Sequence, residues 1–574
     1  MEVLYFYCAK NAEEGHWVKL GASFFLESGP EYDNFVPAKY NWPPSNVVQS
    51  TNVLLGENGR GKTTTLLRIF SSLSYGNELG AGCAILIKSG KNITLIKDRE
   101  FKRDVRIQGA EPITVQLNSK DLRQEELENV LRELRVVIVD PVLRHGVPLH
   151  VDSLTSSEFH GSIDMRSQSL LVRANRAPFG ELSYSEFYYR ELERDLSFLA
   201  SSEASVLNRF LDNQGKKEFP IPEKLYLNLN TNLFTELKRK FTYDSGGKPV
   251  SFDSPDYISF RNHESFVNHL ELMGQTAKDF NVENLIEALY GAALASHLYS
   301  RLTNGLTHDE YFSLIEDIIK IQNRGPKFIL EHIQKKWEGL LAVNVRSSLA
   351  QMERFAKVVR SEIRSDENGW YFSIRNNRAL VAEMQSTYLN AFGIRSLVNF
   401  SWHEISGGET VLLKVFSRVY HAALEIRTEK KLVSTVILLL DEPDSNLHPE
   451  WERKLLKQLI KFCEEVFPGL KIQMLIATNK PFILSDLTIY NINILTPFPK
   501  ADASSAFAPF CNRISAILAN GFFLESDIGA LSEEFLDRLQ ERDYHPTILD
   551  RKVIDEIGDN FLKQAVVEYL GDDQ

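Results

Sequence analysis

At 574 residues, 43% hydrophobic and 25% charged, the chain has ordinary globular composition and length enough for two or more domains. Lys and Arg number 65 against 77 Asp and Glu, a net charge of −12, so average charge does not draw it to nucleic acid and any such surface must be a local patch. No apolar run is long enough to span a bilayer, Met1 to Lys10 lacks the apolar core of a secretory signal, and Cys8, Cys83, Cys463 and Cys511 form no metal-ligand spacing; a cytoplasmic protein without membrane contact is expected.

The opening stretch is β-rich. Val3 to Tyr7 and Trp17 to Leu26 are apolar and aromatic, and a Gly/Pro/Asp-rich segment follows at Ser28 to Pro44. Val53 to Leu55 is a short apolar strand ending at a glycine loop, and Thr63 to Leu73 predicts a helix. Cys83 to Lys97 reads as a hairpin around Ser89-Gly90-Lys91-Asn92, and Arg135 to Val139 as a buried strand ending at Asp140-Pro141. From about His145 to Phe400 amphipathic helical patterns dominate, such as Tyr184 to Phe198, Val282 to Leu302 and Leu349 to Ile363, with loop-like breaks at Asn213 to Pro222 and Asp244 to Asp256. An α/β pattern then returns: helix Thr410 to Glu425, strand Val433 to Leu440, helix Glu450 to Val466 and strand Ile472 to Ala477. The segment from about Ser504 is mixed and ends in a helical stretch, Ile554 to Leu570, and an acidic tip.

Two stretches carry chemistry. Gly56-Glu57-Asn58-Gly59-Arg60-Gly61-Lys62-Thr63 satisfies the phosphate-binding loop pattern and lies between an apolar strand and a helix. Its glycines let backbone N–H groups turn toward phosphate oxygens, and the helix N-terminus adds a favourable dipole. Gly56, Asn58, Gly59, Gly61, Lys62, Thr63 and Thr64 are therefore the candidate ATP contacts. Lys62 is expected to reach the β- and γ-phosphates, and the Thr63 hydroxyl to hold Mg²⁺. The second stretch, Val436-Ile437-Leu438-Leu439-Leu440-Asp441-Glu442-Pro443, places acids at the carboxyl end of a buried parallel strand. There Asp441 would bind Mg²⁺ and Glu442 would position the attacking water. Taken alone, the same acids also suit a helix start.

Together these motifs resemble the ABC-type ATPases. Ile405-Ser406-Gly407-Gly408-Glu409 is similar to that family's signature motif, Asp444-Ser445-Asn446-Leu447-His448-Pro449 to its D-loop, and Thr478-Asn479-Lys480-Pro481 to its switch loop. The order of motifs resembles the branch containing RecF-type, double-strand-break-repair and OLD-like defence ATPases. The resemblance covers residues 1–145 and 396–500. It implies an α/β fold: a P-loop head with a mixed β-sheet and flanking helices, its N-terminal lobe at 1–145 and its C-terminal lobe at 396–503. A large, mainly helical insertion at 146–395 and a C-terminal extension at 504–574 complete the expected organisation. It also implies that Ser406, Gly407 and Gly408 cap the γ-phosphate held by the opposite head, so that ATP with Mg²⁺ drives homodimerisation. The family has histidine where this chain has Asn479, which can only hydrogen-bond; Glu442, Lys62 and Asn479 then form a catalytic set with slow hydrolysis. Gln168 is a candidate for the glutamine linking nucleotide to insertion, Tyr32, Phe35 and Tyr40 are candidates for adenine stacking, and His403 and His448 read as structural or capping residues.

Between Arg324 and Arg364 nine basic residues face four acids, and Arg354, Lys357, Arg360 and Arg364 share one side of a helix. The pattern fits a solvated helix face first and a track for DNA or RNA second. Leu237-Lys238-Arg239-Lys240 is equally ambiguous, and Arg261-Asn262-His263-Glu264 reads as a surface turn rather than part of a nuclease. The expected function is an ATPase whose head dimerisation gates a nucleic-acid-directed or anti-phage defence activity through a partner effector such as a nuclease. The alternatives are a self-contained nuclease effector under ATPase control and a soluble ATPase subunit of a transporter; the size of the insertion argues against the latter.

Overall fold

The computed structural model describes residues 1–9, 15–28, 32–38, 42–56, 59, 61–74, 79, 81–117, 132–142, 162–167, 170, 184–210, 224–229, 265, 267–268, 281–304, 308–336, 344–374, 377, 379–380, 383, 398–402, 405–429, 433–495, 508–521, 528–540 and 545–571. Its centre is a six-stranded sheet in the order Ser162–Arg166, Leu134–Asp140, Thr435–Asp441, Lys471–Thr478, Val48–Leu55, Ile492–Ile494, with every neighbouring pair parallel. Such a sheet is covered on both faces, which is why its strands read as unbroken apolar runs. Val53, Leu55, Leu438, Leu440, Met474 and Ile476 point into one core. Leu54, Ile437, Leu439 and Leu475, their neighbours in sequence, point into another.

Helices Tyr184–Ala200, Gly407–Thr428 and Pro449–Val466 cover the first face. Helix Lys62–Leu73 and a five-stranded sheet cover the second. That sheet runs Gly15–Lys19, Glu2–Ala9, Ala84–Ser89, Asn92–Asp98, Ile113–Leu117, and the expected hairpin supplies its third and fourth strands. Its outer side meets a three-stranded sheet, Phe24–Ser28, Tyr32–Pro37 and Asp104–Ile107, around Tyr5, Tyr7, Trp17 and Phe35. Trp17 to Leu26 is thus two strands in different sheets, because the chain turns where Leu20 and Gly21 both donate to the Leu4 carbonyl.

The middle of the chain holds helices Val282–Asn304, His308–Ile321, Pro326–Lys336 and Asn344–Glu362. They share a core with an antiparallel sheet in the order Ile363–Asp366, Gly369–Ser373, Lys224–Leu229, Val398–Trp402. A helical reading misses these strands because apolar runs of four to six residues carry too little periodicity to identify. Ser162–Arg166 lies beyond the boundary expected at 145, yet it joins the head's parallel sheet. The stretch Ile554 to Leu570 is divided between helices Ile548–Asp555 and Asn560–Gly571; Asp559 caps the second by accepting from the Leu562 N–H at 2.8 Å. The segments 213–222, 237–240, 244–256 and 261–264 lie outside the described residues. Among the described residues no helix is long and apolar enough to cross a membrane.

A buried ionic cluster joins helix Tyr184–Ala200 to helix Gly407–Thr428. Arg418 donates to Glu191 at 2.6 Å and to the Asp140 carbonyl, and Lys414 donates to Asp195 at 2.6 Å. Arg194 adds a third cation, 2.9 Å from Glu191. Burial opposes the Glu191 charge, but Arg418, Lys414 and Arg194 outweigh it and hold its pKa below the usual carboxylate range. Removing one member of such a cluster leaves its partners buried and uncompensated. Arg418→Met is expected to destabilise the head by about 3–5 kcal/mol in chemical denaturation, and adding Glu191→Leu should recover most of that loss.

Candidate nucleotide site

Three parallel strands converge on the site. Val48–Leu55 leads into the phosphate-binding loop, Thr435–Asp441 ends in the acids, and Lys471–Thr478 lies between them. Gly59 and Gly61 have φ of 79° and 89°, the left-handed region that favours glycine. A Cβ at Gly59 would meet nothing within 4 Å, so the backbone angle, not space, demands glycine there. Lys62 is buried at the start of the helix and donates to the Gly56 carbonyl at 2.7 Å. The Thr63 hydroxyl donates to the Asp441 carboxylate at 2.7 Å, bringing together residues 378 apart in sequence. Thr64 is exposed on the next position of the helix.

Glu442 adopts a φ of 47° and donates its N–H to the Ala477 carbonyl at 2.9 Å. A non-glycine residue held in this region costs on the order of 1–3 kcal/mol and persists only where its surroundings constrain it. Asn479 is half-buried just past the end of strand Lys471–Thr478. On the far side of the acids, Arg166 makes a two-pronged ion pair with Asp164 at 2.9 and 2.6 Å. Burial disfavours its charge, but Asp164, Asp140 and Asp441 together raise its pKa, so a cation is fixed beside the strand ends.

The segment after Glu442 connects the remaining motifs. Asp444 is buried and accepts from the Thr478 hydroxyl, which in turn accepts from the Lys480 N–H at 2.9 Å. Lys480 then reaches Glu452 at 2.6 Å. Ser406 caps helix Gly407–Thr428 in a reciprocal box: its hydroxyl accepts from the Glu409 N–H at 3.2 Å, and the Glu409 carboxylate accepts from the Ser406 N–H at 2.6 Å. Ser406 and Gly407 are exposed, so the turn faces outward. Gly408 is buried against the D-loop, where a Cβ would lie 2.8 Å from the Asn446 carbonyl oxygen. His448 caps the next helix by accepting from the Glu450 N–H, the capping role expected of it.

The structure brings together Gly56, Gly59, Gly61, Lys62, Thr63, Asp441, Glu442 and Asn479 at neighbouring strand ends. It sets Gly407 and Gly408 against Asn446 of the D-loop. Asn58, Gln168, Tyr40 and His403 lie outside the described residues. Phe35 belongs to the aromatic core between the outer sheets and Tyr32 stacks under Arg106, so the structure gives both of these stacking candidates other partners. Of the basic ridge, Arg360 is engaged twice by Glu283, at 2.9 Å each, and Lys327 by Glu353 at 2.8 Å. Arg354, Lys357 and Arg364 are exposed, with no ion pair among the described residues. The Asp444–Thr478 pair and the Arg166 cation were missed in the sequence. Only the alternation Ser162-Ile163-Asp164-Met165-Arg166, which puts the ion pair on one strand face, could have signalled the latter.

A parallel α/β sheet with a glycine loop, a Thr–Asp contact and acids at its carboxyl edge is consistent with a P-loop ATPase fold. No family model matches the chain. Over 113 residues it is 28% identical to a protein named "Retron Vc95 probable ATPase" from Vibrio cholerae serotype O1 biovar El Tor. That match spans 19% of this chain and 21% of the relative.

Two outcomes follow from the geometry. Burial pushes Asp444 up to about 6 against the help of Thr478, so the folded state keeps this proton to higher pH than the unfolded chain does. Stability then falls as pH rises from about 4 through about 6, by on the order of 2–3 kcal/mol. Asp444→Asn, which keeps a Thr478 partner, should remove that slope in melting curves taken across this window. Gly408→Ala should cost about 1–3 kcal/mol through overpacking against Asn446, whereas Gly407→Ala, whose nearest neighbour would be 3.9 Å away, should melt within a degree or two of the parent.

Proposed function

We propose that this chain binds and hydrolyses ATP, and that nucleotide closes two copies head to head to control a defence activity carried by a separate effector protein such as a nuclease. The Thr63–Asp441 contact at 2.7 Å is the observation that carries the reading. A hydroxyl and a carboxylate are hard oxygen donors, the set that suits Mg²⁺. Bound there, Mg²⁺ would supply charge neutralisation at the β- and γ-phosphates. Lys62, on releasing the Gly56 carbonyl, adds a second positive charge at the same oxygens. Glu442 orients the attacking water, Asp441 accepts from Thr63 and fixes its hydroxyl, and Asn479 hydrogen-bonds at the γ-phosphate side. The outward turn at Ser406 supports closure with a second copy, since Ser406 and Gly407 are exposed at the start of helix Gly407–Thr428, and such a helix N-terminus suits a phosphate presented by a partner. The defence context is supported by the likeness to the Vibrio cholerae ATPase. In the basic ridge Arg360 and Lys327 pair with Glu283 and Glu353, so two of its cations are engaged within the chain, while Arg354, Lys357 and Arg364 stay exposed.

Three variants test the reading. Lys62→Ala should abolish binding of a fluorescent ATP analogue. Glu442→Gln should retain binding but lose about 10²–10⁴-fold in phosphate release. Light scattering should give twice the monomer mass for Glu442→Gln with Mg²⁺ and ATP, and a monomer when Ser406→Arg is added. ATP turnover undiminished in Lys62→Ala would end the ATPase proposal; a mass indifferent to nucleotide would end the closure proposal.

A further inference from the structure

Helices Ala530–Leu539, Ile548–Asp555 and Asn560–Gly571 show an inverted distribution of apolar side chains. Among the described residues only Leu539 and Ile554 are buried hydrophobics there, and neither belongs to any of the four cores those residues form. Leu531, Ile548 and Phe561 are 80%, 80% and 85% exposed, and Leu549, Val553, Val567 and Tyr569 are exposed as well. Scattered single apolar residues on a surface need no explanation; this concentration on three short helices does. Between the helices runs a cleft of about 670 Å³, floored by Leu531, Phe535, Val553, Ile557 and Leu562.

Charge selects the occupant. Residues 528–571 hold ten Asp and Glu against five Lys and Arg. Glu534, Glu556 and Asp559 stand on the cleft itself. Among the described residues the one base lining it, Arg538, is directed at Asp550, 3.2 Å away. An apolar floor with an acidic rim repels nucleic acid and repels a second copy of itself. It is complementary to an amphipathic helix with apolar residues on one face and lysine or arginine on the flanks. We propose that this cleft docks a basic amphipathic helix of a second protein, at a surface separate from the nucleotide site. The proposal does not rest on the ATPase reading, and Lys62→Ala serves to keep the two apart.

The probe is a synthetic 18-residue helix with leucines on one face and lysines on the other, followed by fluorescence anisotropy against the full chain. A Glu-for-Lys counterpart and a scrambled peptide of the same composition are the controls. The lysine peptide should bind at least tenfold more tightly than either control, equally well to the parent and to Lys62→Ala. Leu531→Asp with Val553→Asp should weaken it at least tenfold; both side chains line the cleft and are exposed, so the melting temperature should not fall. Equal binding of the three peptides, or binding untouched by the double variant, would overturn the proposal. So would concentration-dependent self-association that the double variant abolishes, since the occupant would then be a second copy.

Discussion

The hydrogen bond between Thr63 and Asp441 exists only because two strands far apart in sequence are held in fixed register through a third. Lys471–Thr478 pairs Leu440 with Ile476 on one side and Ile476 with Val53 on the other. A slip of one residue would turn the apolar set of a strand to its opposite face. Because both faces of this sheet are buried, neither core has room for that slip. The same strand supplies the Ala477 carbonyl that fixes Glu442 and the Thr478 hydroxyl that fixes Asp444. Position at the site is thus inherited from packing several residues below it.

What packing supplies, the loops use. Glu442 stands in a backbone region that side chains avoid, and Gly59 and Gly61 occupy the same region without that cost. Gly408 serves the opposite purpose, since its missing Cβ admits the Asn446 carbonyl. The D-loop is therefore pressed against the signature turn on one side and tied to the Thr478 strand end on the other. Thr478 and the turn at Ser406 are thus joined by the short segment from Asp444 to Asn446.

Local turns and caps were legible in the sequence; pairing at a distance was not. The phosphate loop declares itself because its glycines, lysine and threonine are contiguous, and the acids because five apolar residues precede them. The signature turn is readable since Ser406 and Glu409 make their capping box within four residues. Asp444 gives no sign of Thr478, 34 positions on, and Arg418 none of Glu191, 227 positions away. The four-stranded sheet stayed hidden because Lys224–Leu229 pairs with strands more than a hundred residues later.

Helix Tyr184–Ala200 shows why the boundary between head and insertion resists a line drawn in sequence. Its Phe187, Phe198 and Leu199 lie in the core under the parallel sheet, while Leu192 and Leu196 lie in the core of the helical middle. Amphipathic spacing predicts such a helix but not that its apolar residues divide between two cores. The Glu191, Asp195, Lys414 and Arg418 cluster sits where the division falls, and Arg418 reaches on to the carbonyl of Asp140, at the end of the strand that neighbours Thr435–Asp441. Charges this deeply buried separate only at high cost. The ion pairs therefore tie this helix to helix Gly407–Thr428, whose N-terminal turn carries Ser406.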